Sequence, residues 1–95
     1  MRHRPRIEIY MDVLGRLIER PSGPTRLSRL CNLSYDKCAE ILAELEARGL
    51  VRKETEDGHD VYSVTPDGYK LTEDWRKIWE KVYPDSSKMS RPFMP

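Results

Sequence analysis

Cys31, Cys38, His3 and His59 are all the cysteines and histidines of the chain, and their spacing argues against a metal centre. Zinc sites pair such ligands roughly two to four residues apart. Here the cysteines stand seven positions apart and neither histidine lies near them. Two readings of the cysteines follow: small apolar residues where two helices meet, or a disulfide, which is uncommon inside cells. No nucleophile–base pair, Gly-rich phosphate loop or metal cluster is present in the sequence, so neither an enzyme nor a cofactor is expected. The chemistry that remains is recognition by hydrogen bonds and charge. Ser34 and Tyr35 can contact phosphates, Lys37 can reach phosphate or guanine, and Glu40 can accept from cytosine.

The elements that position these groups are legible in residues 34–65. Ser34 is a good N-cap for a helix over 34–48, whose buried stripe is Cys38, Ile41, Leu42 and Leu45. The same periodicity turns Tyr35, Asp36, Lys37, Glu40, Glu44 and Ala47 away from that stripe. Gly49 closes the helix. Residues 50–54 and 61–64 alternate as strands around Asp57-Gly58, a strong hairpin signal. Thr65-Pro66 then caps and opens a last helix over 66–83. Upstream, Ile7, Tyr10, Met11, Leu14, Leu17 and Ile18 give residues 6–20 one apolar face. Pro21-Ser22-Gly23-Pro24 ends that helix, and residues 25–31 form two turns with Leu27, Leu30 and Cys31 directed inward. The order helix, helix, helix, strand, strand, helix is an α+β winged helix-turn-helix. In that fold the third helix enters a DNA groove and the hairpin, the wing, lies against the backbone.

On that geometry Ser34, Tyr35, Lys37 and Glu40 are the groove-facing positions. Arg26 and Arg29 on the bracing helix fix register on phosphates. The wing tip carries Glu56, Asp57 and Asp60, so its backbone contacts fall to Arg52 and Lys53 at the base. His59 is either a solvated loop residue or an added positive charge below neutrality. The basic arm, residues 1–5 with Arg6 beside it, either follows the DNA or is an uninvolved terminus. Charge is unevenly spread. Residues 1–30 carry seven Arg against three acids, residues 31–67 four bases against nine acids, and residues 68–95 six bases against four acids. A basic stripe therefore comes from the first third and the last helix. The expected partner is double-stranded DNA, in transcriptional regulation; the rival is a winged-helix adaptor for proteins. No effector is indicated.

Ninety-five residues make one domain, and one of this size buries only about 60% of its unfolded surface. The last helix carries Leu71, Trp75, Ile78, Trp79 and Val82, a band too apolar for water, so a homodimer through this helix is expected; the alternative is packing against the first helix or a small-ligand pocket. No apolar run approaches the roughly 20 residues that span a bilayer, and no signal pattern opens the chain, so a cytoplasmic location is expected. Residues 84–95 lack periodicity and are expected to be a disordered tail.

Two motifs carry a family resemblance. Leu45-x-x-x-Gly49-Leu50-Val51, followed by Tyr62-Ser63-Val64-Thr65-Pro66-x-Gly68, closely resembles the archaeal winged helix-turn-helix regulators. The opening Arg6-Ile7-Glu8-Ile9-Tyr10-x-x-Val13-Leu14 is similar to that group too. The resemblance covers residues 6–83. It implies dimerisation through an antiparallel coiled coil of the last helix, and a DNA face on Arg26, Arg29, Ser34, Tyr35, Lys37 and Glu40 with wing contacts at Arg52 and Lys53. The chain departs from the pattern in its acidic recognition helix and acidic wing tip.

Overall fold

The computed structural model describes residues 5–82; the expected basic arm, apart from Pro5, and the expected tail lie outside them. Four helices and one hairpin follow in the expected order: α1 (Arg6–Glu19), α2 (Pro24–Leu30), α3 (Tyr35–Ala47), β1 (Val51–Glu56), β2 (His59–Val64) and α4 (Pro66–Val82). This is the α+β winged helix-turn-helix architecture.

Local chemistry sets each boundary. The Ser34 hydroxyl accepts from the Lys37 amide at 3.1 Å and caps α3, satisfying a donor the helix leaves unpaired. Gly49 sits at φ +73°; its amide bonds to the Glu46 carbonyl and the Leu50 amide to the Leu45 carbonyl, the double closure of a Schellman end. Asp57 and Gly58 both have positive φ, which gives the hairpin a two-residue turn matched to the strand twist. The antiparallel register pairs Val51 with Val64, Lys53 with Tyr62 and Glu56 with His59. The hairpin runs two residues further on each side of the turn than the alternation predicts, because ladder bonds continue where both faces are wet. Thr65 does two jobs at the start of α4. Its hydroxyl donates to the Gly49 carbonyl at 2.6 Å and accepts from the Gly68 amide at 3.2 Å.

The core joins Met11, Val13, Leu14 and Leu17 of α1 to Leu27, Cys31, Cys38, Ile41, Leu42 and Leu45 of the helix-turn-helix, with Val51 and Tyr62 from the hairpin. Cys31 and Cys38 are buried among these residues, and burial pushes the Cys38 pKa up. Two expected core residues are displaced. Leu30 is 37% and Ile7 39% exposed. On a helix Leu30 lies about 100° from Cys31, and with Leu27 and Cys31 at the centre of the buried arc it falls on the edge. Ile7 belongs to the exposed first turn of α1.

The connector between α1 and α2 adds a contact that the Pro-Ser-Gly-Pro run does not announce. Ser22 bridges Tyr62 with two backbone bonds of 2.9 and 3.2 Å. A Cβ on Gly23 would meet the Asp60 carbonyl at 2.7 Å. The wing is thereby fixed to the start of α2.

Candidate nucleic-acid interface

That anchoring builds a groove of about 380 Å³ between the start of α2, the start of α3 and the returning wing strand. Arg26 and Tyr35 line one wall, and His59 and Asp60 the other. Two expected contact residues from different helices, Arg26 and Tyr35, thus share one site, together with His59 from the wing. Tyr35 is 55% exposed; an aromatic left in water at a helix start is available for contact. Arg29 is exposed on the last turn of α2. Ser34 is also exposed, with its hydroxyl oxygen engaged by the Lys37 amide, so the hydroxyl hydrogen is what it can offer a phosphate.

The wing base divides. Directly paired residues of an antiparallel ladder share a face, and Lys53 pairs with Tyr62 whereas Arg52 pairs with Ser63. Tyr62 is 8% exposed, so Lys53 is on the face turned to the body of the domain and Arg52 is on the outer one, 4.0 Å from Glu54. A single backbone track along one face of the hairpin reaches one of them, not both.

Glu40 and Glu44 of α3 are not bare carboxylates. Arg6 of α1 lies 2.6 Å from Glu44 and 3.5 Å from Glu40. Lys37 stands 3.4 Å from the same Glu40 oxygen, and the Tyr10 hydroxyl donates to Glu44 at 2.5 Å. The hydrogen bond from Tyr10, supported by Arg6, holds the Glu44 carboxyl below the usual carboxylate range. The same bond raises the Tyr10 pKa, because losing the proton would leave two anions face to face. Arg48 stacks over the Tyr10 ring at 5.5 Å. Glu44, expected on the solvated face, is thus turned onto α1. Arg6 and Tyr10 sit 38 and 34 positions from Glu44, and no local pattern reveals such a pair.

On α4, Leu71 and Trp75 pack against the core of their own chain. Trp79 is half-buried beside Trp75, the ring centroids 6.1 Å apart. Ile78 and Val82 are 57% and 59% exposed. The apolar band of the last helix is therefore split between an intrachain half and an open half. Among the described residues, no group of His, Cys, Asp or Glu is arranged to hold a metal ion, and no helix is long and apolar enough to cross a membrane.

Comparison with known proteins decides the family. The family model for winged helix-turn-helix proteins matches residues 3–82. The chain belongs to the winged helix-turn-helix family. Among solved structures, this winged helix-turn-helix chain is similar to Sso10a-2, a DNA-binding protein from Sulfolobus solfataricus, at 30% identity and a TM-score of 0.70, covering 90% of this chain and 92% of that one. The transcriptional regulator BldR, also from Sulfolobus solfataricus, shares the fold at 16% identity and a TM-score of 0.73, over 88% of this chain and 63% of its own. MepR, a transcription regulator of the Staphylococcus aureus multidrug efflux pump MepA, does so at 17% identity and 0.74, over 86% and 64%. The chain thus spans nearly all of Sso10a-2 and somewhat under two thirds of the two longer regulators. No curated protein matches it in sequence.

Proposed function

We propose that this chain is a transcriptional regulator that binds duplex DNA as a homodimer. The start of α3 enters the major groove, and α2 and the wing hold the backbone. The observation that carries this reading is the groove beside the start of α3, where Arg26, Tyr35 and His59 converge while the carboxylates further along α3 are engaged by Arg6, Lys37 and Tyr10. Phosphate meets the Arg26 guanidinium and the Tyr35 hydroxyl there, and Lys37 follows two residues later on α3 to reach the bases. Glu40 keeps its Oε1 for a cytosine amino group, since both recorded ion pairs fall on Oε2. On the wing, Lys53 follows the backbone from the inner face, and Arg52, on the outer face, lies off that track. The DNA-binding activity of Sso10a-2, named for a protein that this chain matches over nearly its whole length, supports the same reading.

The homodimer rests on the open half of α4. Ile78 and Val82, continued by Trp79, offer a second chain an apolar strip, while Leu71 and Trp75 hold the helix to its own domain. Antiparallel pairing would set two α3 helices on one side, as successive major grooves about 34 Å apart require.

One observation favours a second reading, a protein-interaction adaptor: Glu54, Glu56, Asp57 and Asp60 are all exposed on the hairpin. The two separate on paired variants. Lys37→Ala should change sequence preference, lowering affinity for a selected site by about tenfold or more while barely altering a scrambled one. Arg29→Ala should weaken both alike and reduce the salt slope by about 1. Fluorescence titration of each variant against both duplexes checks this. Parent-like binding by both variants would place the recognition surface elsewhere.

A further inference from the structure

A two-stranded hairpin standing by itself is only marginally stable in water, so a wing that holds its direction needs support beyond its own ladder. Here the support comes from the connector between α1 and α2. The Ser22 amide donates to the Tyr62 carbonyl at 3.2 Å, and the Tyr62 amide donates back to the Ser22 carbonyl at 2.9 Å. Both polar groups of Tyr62 therefore point away from β1, and β2 runs between β1 on one side and Ser22 on the other. Ser22 is buried, and its hydroxyl donates to the Arg20 carbonyl at 2.9 Å, which fastens the bridge to the end of α1.

Gly23 is the next residue. Its carbonyl accepts from the Leu27 amide at 3.1 Å and so opens α2. A Cβ on it would meet the Asp60 carbonyl oxygen at 2.7 Å, and that oxygen belongs to strand backbone, so it moves only with β2. Gly23 thus stands where the two walls of the groove meet: Arg26 and Tyr35 on one side, His59 and Asp60 on the other. Any side chain here wedges β2 away from α2 and opens the groove.

We propose that Gly23 is a positioning residue for DNA binding: its close approach to Asp60 sets the width of the groove and holds the wing where Lys53 meets the backbone. This rests on the DNA-binding reading above. Lys53 pairs with Tyr62, the residue that Ser22 bridges, so a shift at the connector is passed directly to it. Arg29, on the last turn of α2, does not reach DNA through the wing. A wedge at position 23 should therefore remove the contribution of Lys53 and leave that of Arg29.

The test is a pair of double-mutant cycles on the full chain, G23A with K53A and G23A with R29A, titrated against a site selected from a random library. The expected result is about a tenfold loss for G23A, with the salt slope lowered by about 1. K53A should cost about fivefold in the parent and less than about twofold in the G23A background, whereas R29A should cost the same factor in both. Thermal denaturation checks that each variant is folded at the assay temperature. If G23A is not, S22P takes its place, removing the amide that Ser22 donates to Tyr62 while leaving Gly23 as it is. An undiminished K53A effect in the G23A background would show that the wing has not moved. An R29A effect that shrinks as well would show a loss spread over the whole domain. Either outcome overturns the proposal and leaves DNA binding intact. No binding of the parent to any duplex would overturn the DNA-binding reading and this proposal with it.

Discussion

Replacing Gly68 with alanine should lower the stability of the domain by about 3 kcal/mol and its melting temperature by roughly 10–20 °C. The sign is what makes this informative. In an exposed helix interior, glycine to alanine stabilises by up to about 1 kcal/mol, because the glycine has more backbone freedom to lose. Gly68 is instead buried in the first turn of α4, where a Cβ would collide with the Leu50 carbonyl oxygen and lie 2.6 Å from Val64 Cγ1. The carbonyl is backbone between α3 and β1 and accepts from the Thr65 amide at 3.1 Å, so it cannot swing aside as a side chain would. Relief requires α4 to lift off the wing base, taking the Thr65 hydroxyl bond to Gly49 with it. Calorimetry on the G68A variant measures the effect. An unchanged or raised melting temperature would show that α4 is not seated as described.

The largest expected effect on binding comes from the open half of α4. A variant carrying both Ile78→Glu and Val82→Glu should be a folded monomer with DNA affinity reduced by about a hundredfold or more, since two linked half-site contacts become one. These two positions are chosen because they are the exposed part of the band. Trp79 touches Trp75, and a charge there would disturb the domain's own packing as well as any interface. Sedimentation of parent and variant, with titration against a selected site, reads both quantities. A parent that sediments as a monomer at tens of micromolar would rule the dimer out.

The fold was largely legible because its signals are local. Ser34, Gly49, Asp57-Gly58 and Thr65-Pro66 each act within a few residues, through a cap, a left-handed backbone or a fixed φ, and each marks an element boundary within two residues of the observed one. Leu30 reads as inward in the sequence because two turns of helix give too short a period to tell the centre of a buried arc from its edge. The site was legible only in part. Residue types nominated Arg26 and Tyr35, and the fold brings them to one groove. Lys53 and Arg52 look equivalent in the sequence, yet a hairpin separates neighbours in sequence onto opposite faces. The pairing of Arg6 with Glu40 and Glu44 was invisible, since it depends on how α1 crosses α3 and not on any spacing in the chain. Hence α3 reads as a strongly acidic surface in the sequence and as a partly compensated one in the structure, where Glu40 and Glu44 are engaged.

The central claim, that the start of α3 and its flanking groove bind duplex DNA, is tested most directly by the salt dependence of affinity for a site selected from a random library. With roughly 6–10 phosphate contacts in a dimer, affinity should fall by about 10³-fold or more between about 50 and 200 mM salt. Failure to select any site, with no detectable binding to any duplex at low salt, would contradict it and leave the acidic wing of a protein adaptor as the better account.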